Sequence, residues 1–490
     1  MNSPDKHRLD FIIINKDSNT PIYIQLVEQI IKGIQLGYLE HDSQLLGTRQ
    51  LSLILKLNRN TIIKSLEELQ AQEWIKIIPN KGTFINAKTH YLKNKISNIT
   101  TNTFPKEADF TFTPSILIDL PETPIEAQLI LDDGQIDKRL IDYKMLTKNY
   151  AGVLLRTNKT KSNKNYFEQQ FVNYLKISRD LNCNPKNLLI ADNQELIIHI
   201  ICKVFNQNNL NIAIPEINHY KTNIILQTNQ VNLHLIKMKE NYIDLEHLEY
   251  LIKSKNISIV YLPTNYQYPT TYTFNHIEKT AIQQLAINYK FIILEHDPFS
   301  DYYYTPNKIT PFAASNLTNQ TIYLSKFGDF LSQNYNFGFL IGPENFIQEA
   351  KKHLYLLEQN RDEIALKVIG EMINEGEIIR ILKKHRKIYK ERRDYLCNLL
   401  YQHFGKNITI KLPKGGLAIW IEWNLDLNLL LLKKELEKKS IYLPQYCLYQ
   451  NKKQKAIRLG FATLDLDQIE NLVKNFLLTI NHIKNKKPVI

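Results

Sequence analysis

Residues 20–85 carry the pattern that most narrows what this chain can fold into. Apolar residues recur there at the spacing of one helix face in three successive short stretches, and a turn at residues 80–82 follows them. Asn58, a residue type that caps helices, directly precedes the third stretch. The spacing therefore predicts three short helices and then a two-stranded turn. The helix-defining positions are Val27, Ile30, Ile31 and Ile34, then Leu51, Ile54 and Leu55, then Ile62, Leu66 and Leu69.

The third of these helices begins with polar and basic side chains. In helix-turn-helix proteins the same end of the recognition helix enters the major groove of DNA. Between Leu45 and Ile85 there are six Lys or Arg and three acidic residues, a balance that favours contact with phosphates. The alternative is a small helical subdomain with a solvated basic face. The residues predicted to face DNA from this helix are Arg59, Asn60, Thr61 and Lys64.

This stretch resembles the winged helix-turn-helix of the GntR family of bacterial regulators. The resemblance implies that Arg49, Arg59 and Lys64 contact DNA, with Lys81 and Gly82 at the tip of the wing. One departure is Glu73, which stands where family members usually carry Gly. The matching segments are TPIYIQL, GTRQLSLIL, LNRNTIIKSLEELQAQEW and KGTF.

Length and composition bound the rest of the chain. The chain has 490 residues, of which 43% are hydrophobic, so at least one large domain must follow the first module. A net charge of +13 favours a polyanionic partner.

The four cysteines are widely spaced, which predicts neither a metal site nor disulfides. A polar N-terminus and the lack of an apolar run of about 20 residues predict a cytoplasmic protein.

The order of patterns along the chain predicts a multidomain protein. Residues 1–86 form the α+β DNA-binding domain, and the polar stretch 87–123 reads as a linker. Residues 124–490 alternate apolar strands with amphipathic helices, which indicates an α/β domain with a mostly parallel sheet. Long helices and further strands from about residue 385 to 490 indicate a small α+β lobe.

The second region resembles a fold type I aminotransferase domain, and its position behind a GntR-like module resembles the MocR subfamily of transcriptional regulators. The resemblance covers nearly the whole chain and implies pyridoxal 5'-phosphate (PLP) as the family cofactor. It also implies a homodimer that presents two winged helices to double-stranded DNA. Segments that carry it include VYLPTNYQYPT, FIILEHDPF, IYLSKFGDFLSQNYNFGFLIGP, PKGGLAIW and IRLGFATL.

That cofactor requires a lysine amine that bonds its aldehyde carbon. The family lysine lies nine residues before the glycine that is Gly338 here, and this position is Asp329. Lys326, in a Ser-Lys dipeptide, stands three residues earlier and is the fallback. The spacing predicts that no residue of this chain is catalytic and that no cofactor is bound.

Other cofactor positions also depart from the family pattern. His296 replaces the acid that would pair with the ring nitrogen, and Phe299 stands near the position of a hydroxyl donor. Asp192 and Asn193 lie in the phosphate turn, and Asn336 replaces a basic residue. Two residues match the family pattern of this site. The resemblance implies that Arg458 binds a substrate carboxylate and that Tyr268 lies at the edge of the cofactor ring.

The sequence thus predicts a DNA-binding transcriptional regulator whose aminotransferase-like domain dimerises, has lost covalent PLP binding and catalysis, and binds a small carboxylated effector through Arg458. Two alternatives stay open: a PLP-dependent enzyme or PLP-responsive regulator that uses Lys326, and a scaffold that binds DNA without any ligand.

Overall fold

A computed structural model describes the two parts of the chain. The chain divides into two compact units, Met1–Pro114 and Ser115–Ile490. Most of the predicted linker 87–123 lies outside the described residues, and its described part, 107–113, contains no helix or strand. The described residues are 9–86 except 10, 17, 19, 41 and 80; 107–113; and 127–485 except 158–164, 206–209, 240–241, 316–318, 358–361 and 452–453.

The first unit has the predicted helices and wing, with one additional strand. The third helix begins after Asn58, whose side-chain oxygen accepts a hydrogen bond from the backbone N–H of Asn60 at 2.9 Å. The wing strands are antiparallel, and a short strand before the second helix pairs with the later of the two. The elements are α1 (Ile22–Leu36), β1 (Gln44–Leu45), α2 (Thr48–Leu55), α3 (Arg59–Ala71), β2 (Ile75–Ile78) and β3 (Gly82–Ile85).

Apolar side chains from α1, α2 and α3 form the core of this unit. Ile62 and Leu69 are fully buried, and Leu51 and Ile30 are nearly so. Burying one such side chain contributes roughly 1.5–3 kcal/mol. The core therefore fixes which face of α3 is left for solvent, and this face carries the predicted DNA-binding residues.

The second unit is built on a seven-stranded sheet, in agreement with the predicted alternation of apolar strands and amphipathic helices. The chain order of the strands is β4 (Leu129–Ile130), β5 (Leu188–Ala191), β6 (Asn211–Pro215), β7 (Asn232–Ile236), β8 (Met238–Lys239), β9 (Tyr242–Ile243), β10 (Ile259–Pro263), β11 (Ile292–His296), β12 (Thr321–Phe327), β13 (Phe337–Ile341), β14 (Ile408–Thr409), β15 (Ala418–Trp423), β16 (Ile441–Tyr442), β17 (Leu448–Gln450) and β18 (Lys455–Gly460).

The strand order in the large sheet is β5-β13-β12-β11-β10-β6-β7. Only β13 runs antiparallel to its neighbours in this sheet. Every residue of β10 and β13 is buried, as expected for a sheet that helices cover on both faces. The carboxyl ends of β10, β11 and β12 meet at one edge, where ligands bind in open α/β sheets.

Helices cover this sheet and support a small lobe. The lobe contains the four-stranded antiparallel sheet β14-β15-β18-β17, as predicted for the C-terminal part. No helix in the described part of the chain is both long and apolar enough to cross a bilayer. The helices are α4 (Tyr143–Thr157), α5 (Tyr166–Arg179), α6 (Gln194–Val204), α7 (Tyr220–Thr228), α8 (Leu245–Lys255), α9 (His276–Tyr289), α10 (Glu344–Leu357), α11 (Glu363–Asn374), α12 (Glu377–Phe404), α13 (Leu429–Glu437) and α14 (Leu466–Asn485).

Candidate functional site

The start of α3 presents a polar surface to solvent. Arg59, Asn60 and Lys64 are exposed and Thr61 is half-buried. The Nζ atom of Lys64 lies 4.0 Å from the centre of the Tyr23 ring on α1, a cation–π contact that orients the amine. The four predicted residues thus occupy the first two turns of one helix.

The wing and α2 supply the other predicted DNA contacts. Arg49 is exposed on the first turn of α2, and Lys81 is exposed at the tip of the wing. The side-chain amide of Gln44 donates to the carbonyl of Lys81 at 2.8 Å and fixes this tip. Gly82 has a φ of 120°, a conformation that L side chains rarely adopt.

Glu73 keeps the turn geometry that a glycine usually provides. Its φ is 61°, in the left-handed region. The side chain of Asn86 donates to the carbonyl of Glu73 at 2.6 Å, and the backbone N–H of Asn86 donates to Trp74 at 2.9 Å. These bonds hold the turn between α3 and β2 although the residue is not Gly.

A cavity of about 600 Å³ opens at the carboxyl ends of β10, β11 and β12. It brings together most of the cofactor positions that the sequence singled out. Asp192 and Arg458 are not among the residues that line it. The predicted positions that line the cavity are Asn193, Tyr268, His296, Phe299, Lys326, Asp329 and Asn336.

Lys326 and Asp329 lie side by side in this cavity. The Nζ atom of Lys326 is 2.9 Å from Oδ2 of Asp329 and 5.3 Å from the centre of the Phe299 ring. The hydroxyl of Tyr302, which is buried, donates to Oδ1 of Asp329 at 2.9 Å. The cavity therefore contains an amine, and a carboxylate anchored by Tyr302 holds it.

The sequence predicted that Asp329 takes the position of the family lysine and kept Lys326 as the fallback. Lys326 is the cross-strand partner of Gly338 in the β12–β13 pair. The residues from Gly328 to Asn336 form the turn between the two strands, which includes a 3-10 turn. Lys326 therefore lies on β12, whereas Asp329 lies in the turn between β12 and β13.

His296 occupies the floor of the cavity as a neutral imidazole. Its Nδ1 lies 2.5 Å from the hydroxyl of Tyr261, and its Nε2 lies 2.9 Å from Oε1 of Gln194. Burial, with smaller effects from the neighbouring His219 and Lys326, lowers the pKa of His296 to about 3. The adjacent Asp297 is buried and does not line the cavity, as the alternation of side chains on a strand predicts.

One end of the cavity is formed by the start of α6. The side chain of Asn193 caps this helix by accepting from the N–H of Leu196 at 2.8 Å. Gly338 allows close approach here, because a Cβ at that position would lie 2.5 Å from the peptide atoms of Asn193 and Gln194. Helix N-termini of this kind bind phosphate.

Asp192 in the phosphate turn and Asn336, which replaces a basic residue, have different surroundings. Asp192 lines a second cavity of about 160 Å³ together with Asp362. It does not line the main cavity, so it adds no negative charge to that lining. Oδ1 of Asn336 is buried, and no hydrogen-bond partner exists for it among the described residues.

Arg458 is buried and already engaged. Its Nε donates to the carbonyl of Asp133 and its Nη1 to the carbonyl of Pro269, both at 2.8 Å. The guanidinium carbon lies 4.5 Å from the centre of the Tyr268 ring. A carboxylate would have to bind a guanidinium whose Nε and Nη1 already donate to backbone carbonyls.

Sequence reasoning missed the residues that support the cavity. The guanidinium of Arg179 donates to the hydroxyls of Tyr323 and Ser325 at 2.9 Å and to Asp301 at 3.0 Å. The hydroxyl of Ser325 donates to the carbonyl of Asp297 at 2.6 Å. This buried network joins the ends of β11 and β12, which carry His296 and Lys326. No local sequence signal distinguished Arg179, Gln194 or Tyr261.

The chain matches a known family over most of its length. Residues 159–476 match aminotransferase class I and II. The chain belongs to this family. Solved members of the same fold include kynurenine aminotransferase of Pyrococcus horikoshii, with a TM-score of 0.64 and 17% identity over 73% of this chain and 91% of that chain. LysN of Thermus thermophilus is similar, with a TM-score of 0.64, 16% identity and coverage of 73% and 93%.

Relatives of this aminotransferase-family chain share its whole architecture. The uncharacterized HTH-type transcriptional regulator YdeL of Bacillus subtilis is 21% identical over 478 residues, 94% of this chain and 97% of the relative. The HTH-type transcriptional regulator NorG of Staphylococcus aureus is 22% identical over 422 residues, 84% and 94% of the two chains. The combination of helix-turn-helix and aminotransferase-like domains is the MocR architecture, which confirms the predicted resemblance.

The comparisons correct the expectation of a domain without a cofactor. That prediction is wrong, because the cofactor of this aminotransferase family is PLP, and the solved neighbours hold PMP or N-(5'-phosphopyridoxyl)-L-leucine. The expectation came from substituted positions read one by one along the sequence. The folded cavity has an amine and a helix N-terminus at its edge.

Proposed function

We propose that the protein is a DNA-binding transcriptional regulator that carries PLP covalently on Lys326 and responds to a ligand of that cofactor. The observation that carries the proposal is the position of Lys326. This residue lines the cavity at the end of β12, where it is the cross-strand partner of Gly338. A lysine amine is the group that bonds the aldehyde carbon of PLP.

The residues around Lys326 fit this cofactor. The backbone at the start of α6 suits its phosphate, because N–H groups at a helix N-terminus are unpaired and the helix dipole favours an anion. Gly338 leaves room for the Asn193–Gln194 peptide at this point. When bound, PLP supplies an aldehyde for covalent capture of an amine and a ring that withdraws electrons.

The contacts of Asp329, Phe299 and Arg179 indicate a role for each of these residues. Asp329, fixed by Tyr302, holds the Lys326 amine in place. Phe299 gives the same amine an aromatic face. Arg179 positions Lys326 through Ser325 and is a positioning residue, because it lines no part of the cavity.

The first unit supports the DNA-binding part of the proposal. Arg59, Asn60 and Lys64 form an exposed polar surface at the start of α3, as in recognition helices. A homodimer would present two copies of this surface to paired half-sites. A small carboxylated effector would bind Arg458 beside Asp133 and Pro269, whose carbonyls the guanidinium already contacts.

Purified full-length protein mixed with PLP tests the covalent step. We expect a visible absorption band, and after borohydride reduction a mass increase on the peptide that contains Lys326. Lys326→Ala should abolish both signals. Lys221→Ala is the matched control, because Lys221 also lines the cavity and should leave both signals intact. A band that persists in Lys326→Ala, or its absence in the wild type, rejects this use of Lys326.

Binding of the protein to its own upstream DNA, with and without PLP, tests the regulatory part. We expect specific binding whose affinity changes when the Lys326-dependent band forms. Equal affinity in both states would leave a DNA-binding scaffold with an unlinked cofactor.

A further inference from the structure

The floor of the cavity contains an imidazole where an acid would pair with the cofactor ring. His296 ends β11, lines the cavity and is 6% exposed. The proton on its ring decides what it can offer to a ligand. This proton can be assigned from the contacts of its two nitrogen atoms.

The hydrogen bonds of Gln194 settle the tautomer of His296. The amide nitrogen of Gln194 is 3.4 Å from Oε1 of Glu195, so the amide oxygen faces His296. That oxygen lies 2.9 Å from Nε2 of His296 and can only accept, so Nε2 carries the hydrogen. Nδ1 then carries no hydrogen, and it accepts a hydrogen bond from the Tyr261 hydroxyl at 2.5 Å.

The surroundings oppose a second proton on this imidazole. His296 and Tyr261 are both buried, and desolvation disfavours a charged form. The two nitrogen atoms of His296 contact Tyr261 and Gln194, which are neutral. Lys326 lines the same cavity and is paired with the carboxylate of Asp329, and Glu195 lies beside the amide of Gln194. His219 lies beside Tyr268 at 4.6 Å between ring centres. Asp297 faces away toward Asn265 and Tyr323.

A neutral imidazole and a carboxylate act differently on a pyridine nitrogen. A carboxylate accepts a hydrogen bond and stabilises the protonated, cationic ring. The single hydrogen of this neutral imidazole, on Nε2, is already donated to Gln194, and Nδ1 accepts from Tyr261, so His296 offers a protonated ring nitrogen neither an acceptor nor a negative charge. A ring without that proton withdraws electrons more weakly.

From this geometry we infer that His296 keeps the ring nitrogen of the bound cofactor unprotonated, so that a primary-amine ligand replaces the Lys326 amine on the cofactor carbon, with release of that amine, and is not efficiently converted further. The inference rests on the proposed function, because it requires PLP on Lys326. It assigns the difference between sensor and enzyme to one side chain and its two partners, Gln194 and Tyr261.

Nitrogen NMR of full-length protein loaded with PLP labelled with ¹⁵N in the ring tests the inference. The wild type should give the chemical shift of an unprotonated ring nitrogen. His296→Asp should move the signal to the protonated position. His276→Asp, on an exposed histidine, is the matched control and should leave the signal unchanged.

The possible results separate this inference from the proposed function. A protonated ring nitrogen in the wild type, together with a Lys326-dependent absorption band, overturns the role of His296 alone. Absence of that band overturns both proposals. If His296→Asp fails to fold, the wild-type signal still decides, because it reports the protonation state directly.

Discussion

The Nζ atom of Lys326 lies 2.9 Å from Oδ2 of Asp329, and the two side chains are 24% and 16% exposed. The amine must leave this carboxylate and lose a proton before it can bond an aldehyde. We therefore expect Asp329→Asn to capture PLP about fivefold faster, the equivalent of about 1 kcal/mol for a partly exposed ion pair. Stopped-flow absorption measures the rate. Glu349→Gln, which breaks the exposed pair with Lys352, should not change it. Slower capture in Asp329→Asn would mean that the carboxylate positions the amine productively.

The start of α3 should dominate DNA affinity. Arg59→Ala should weaken binding to the upstream region by at least about 1 kcal/mol, as loss of one base or phosphate contact does. Fluorescence anisotropy measures the change. Lys32→Ala, on an exposed residue of α1, removes the same charge and is the control. Equal effects of both variants would indicate an unspecific charge effect and reject the recognition-helix assignment.

The left-handed backbone at Glu73 should cost stability. Glu73→Gly should stabilise the first unit by up to about 1 kcal/mol, because the penalty for an L residue at a φ of 61° is about 1–2 kcal/mol and glycine's greater freedom when unfolded offsets part of the gain. Urea unfolding measures the effect. Gln72→Gly, one residue earlier with a φ of −84°, should instead destabilise the unit.

The close approach at Gly338 should not tolerate a side chain. Gly338→Ala should destabilise the second unit by about 1–3 kcal/mol, because the added Cβ would meet the Asn193–Gln194 peptide at 2.5 Å. Thermal unfolding and the Lys326-dependent absorption band should both report the loss. Gly152→Ala is the control, since its nearest neighbour would be the end of the Arg156 side chain at 3.7 Å, and it should be neutral or stabilising.

The buried His296 should make stability depend on pH. Its pKa is lowered from 6.5 to about 3, so between these values the unfolded chain binds a proton that the folded chain excludes. The free energy of unfolding should therefore fall as pH falls, by about 2 kcal/mol from about pH 7 to about pH 5 for this group. His296→Gln should flatten the dependence, whereas His276→Gln should not. An unchanged slope in His296→Gln would contradict a neutral buried imidazole.

Much of the fold could be predicted because apolar periodicity is a local property of the sequence. The stripe on α3 separates buried Ile62 and Leu69 from exposed Arg59 and Lys64, and the structure agrees. The short strand β1 was missed, because two residues give no period and its pairing with β3 is a tertiary contact. Arg179 was missed for the same kind of reason, since its partners lie more than a hundred residues away in sequence.

The sequence by itself determined the order of the elements and the families they resemble, since helix stripes, strand runs and capping residues act over short distances. Only the tertiary structure decided that the Lys326 amine lies in the cavity beside Asp329. Counting from Gly338 assumes a turn of fixed length, whereas strand pairing places Lys326 opposite Gly338 whatever the length of the turn between them. Hydrogen bonding across a sheet fixes side chains in space, and extra residues in a turn are accommodated outside that register.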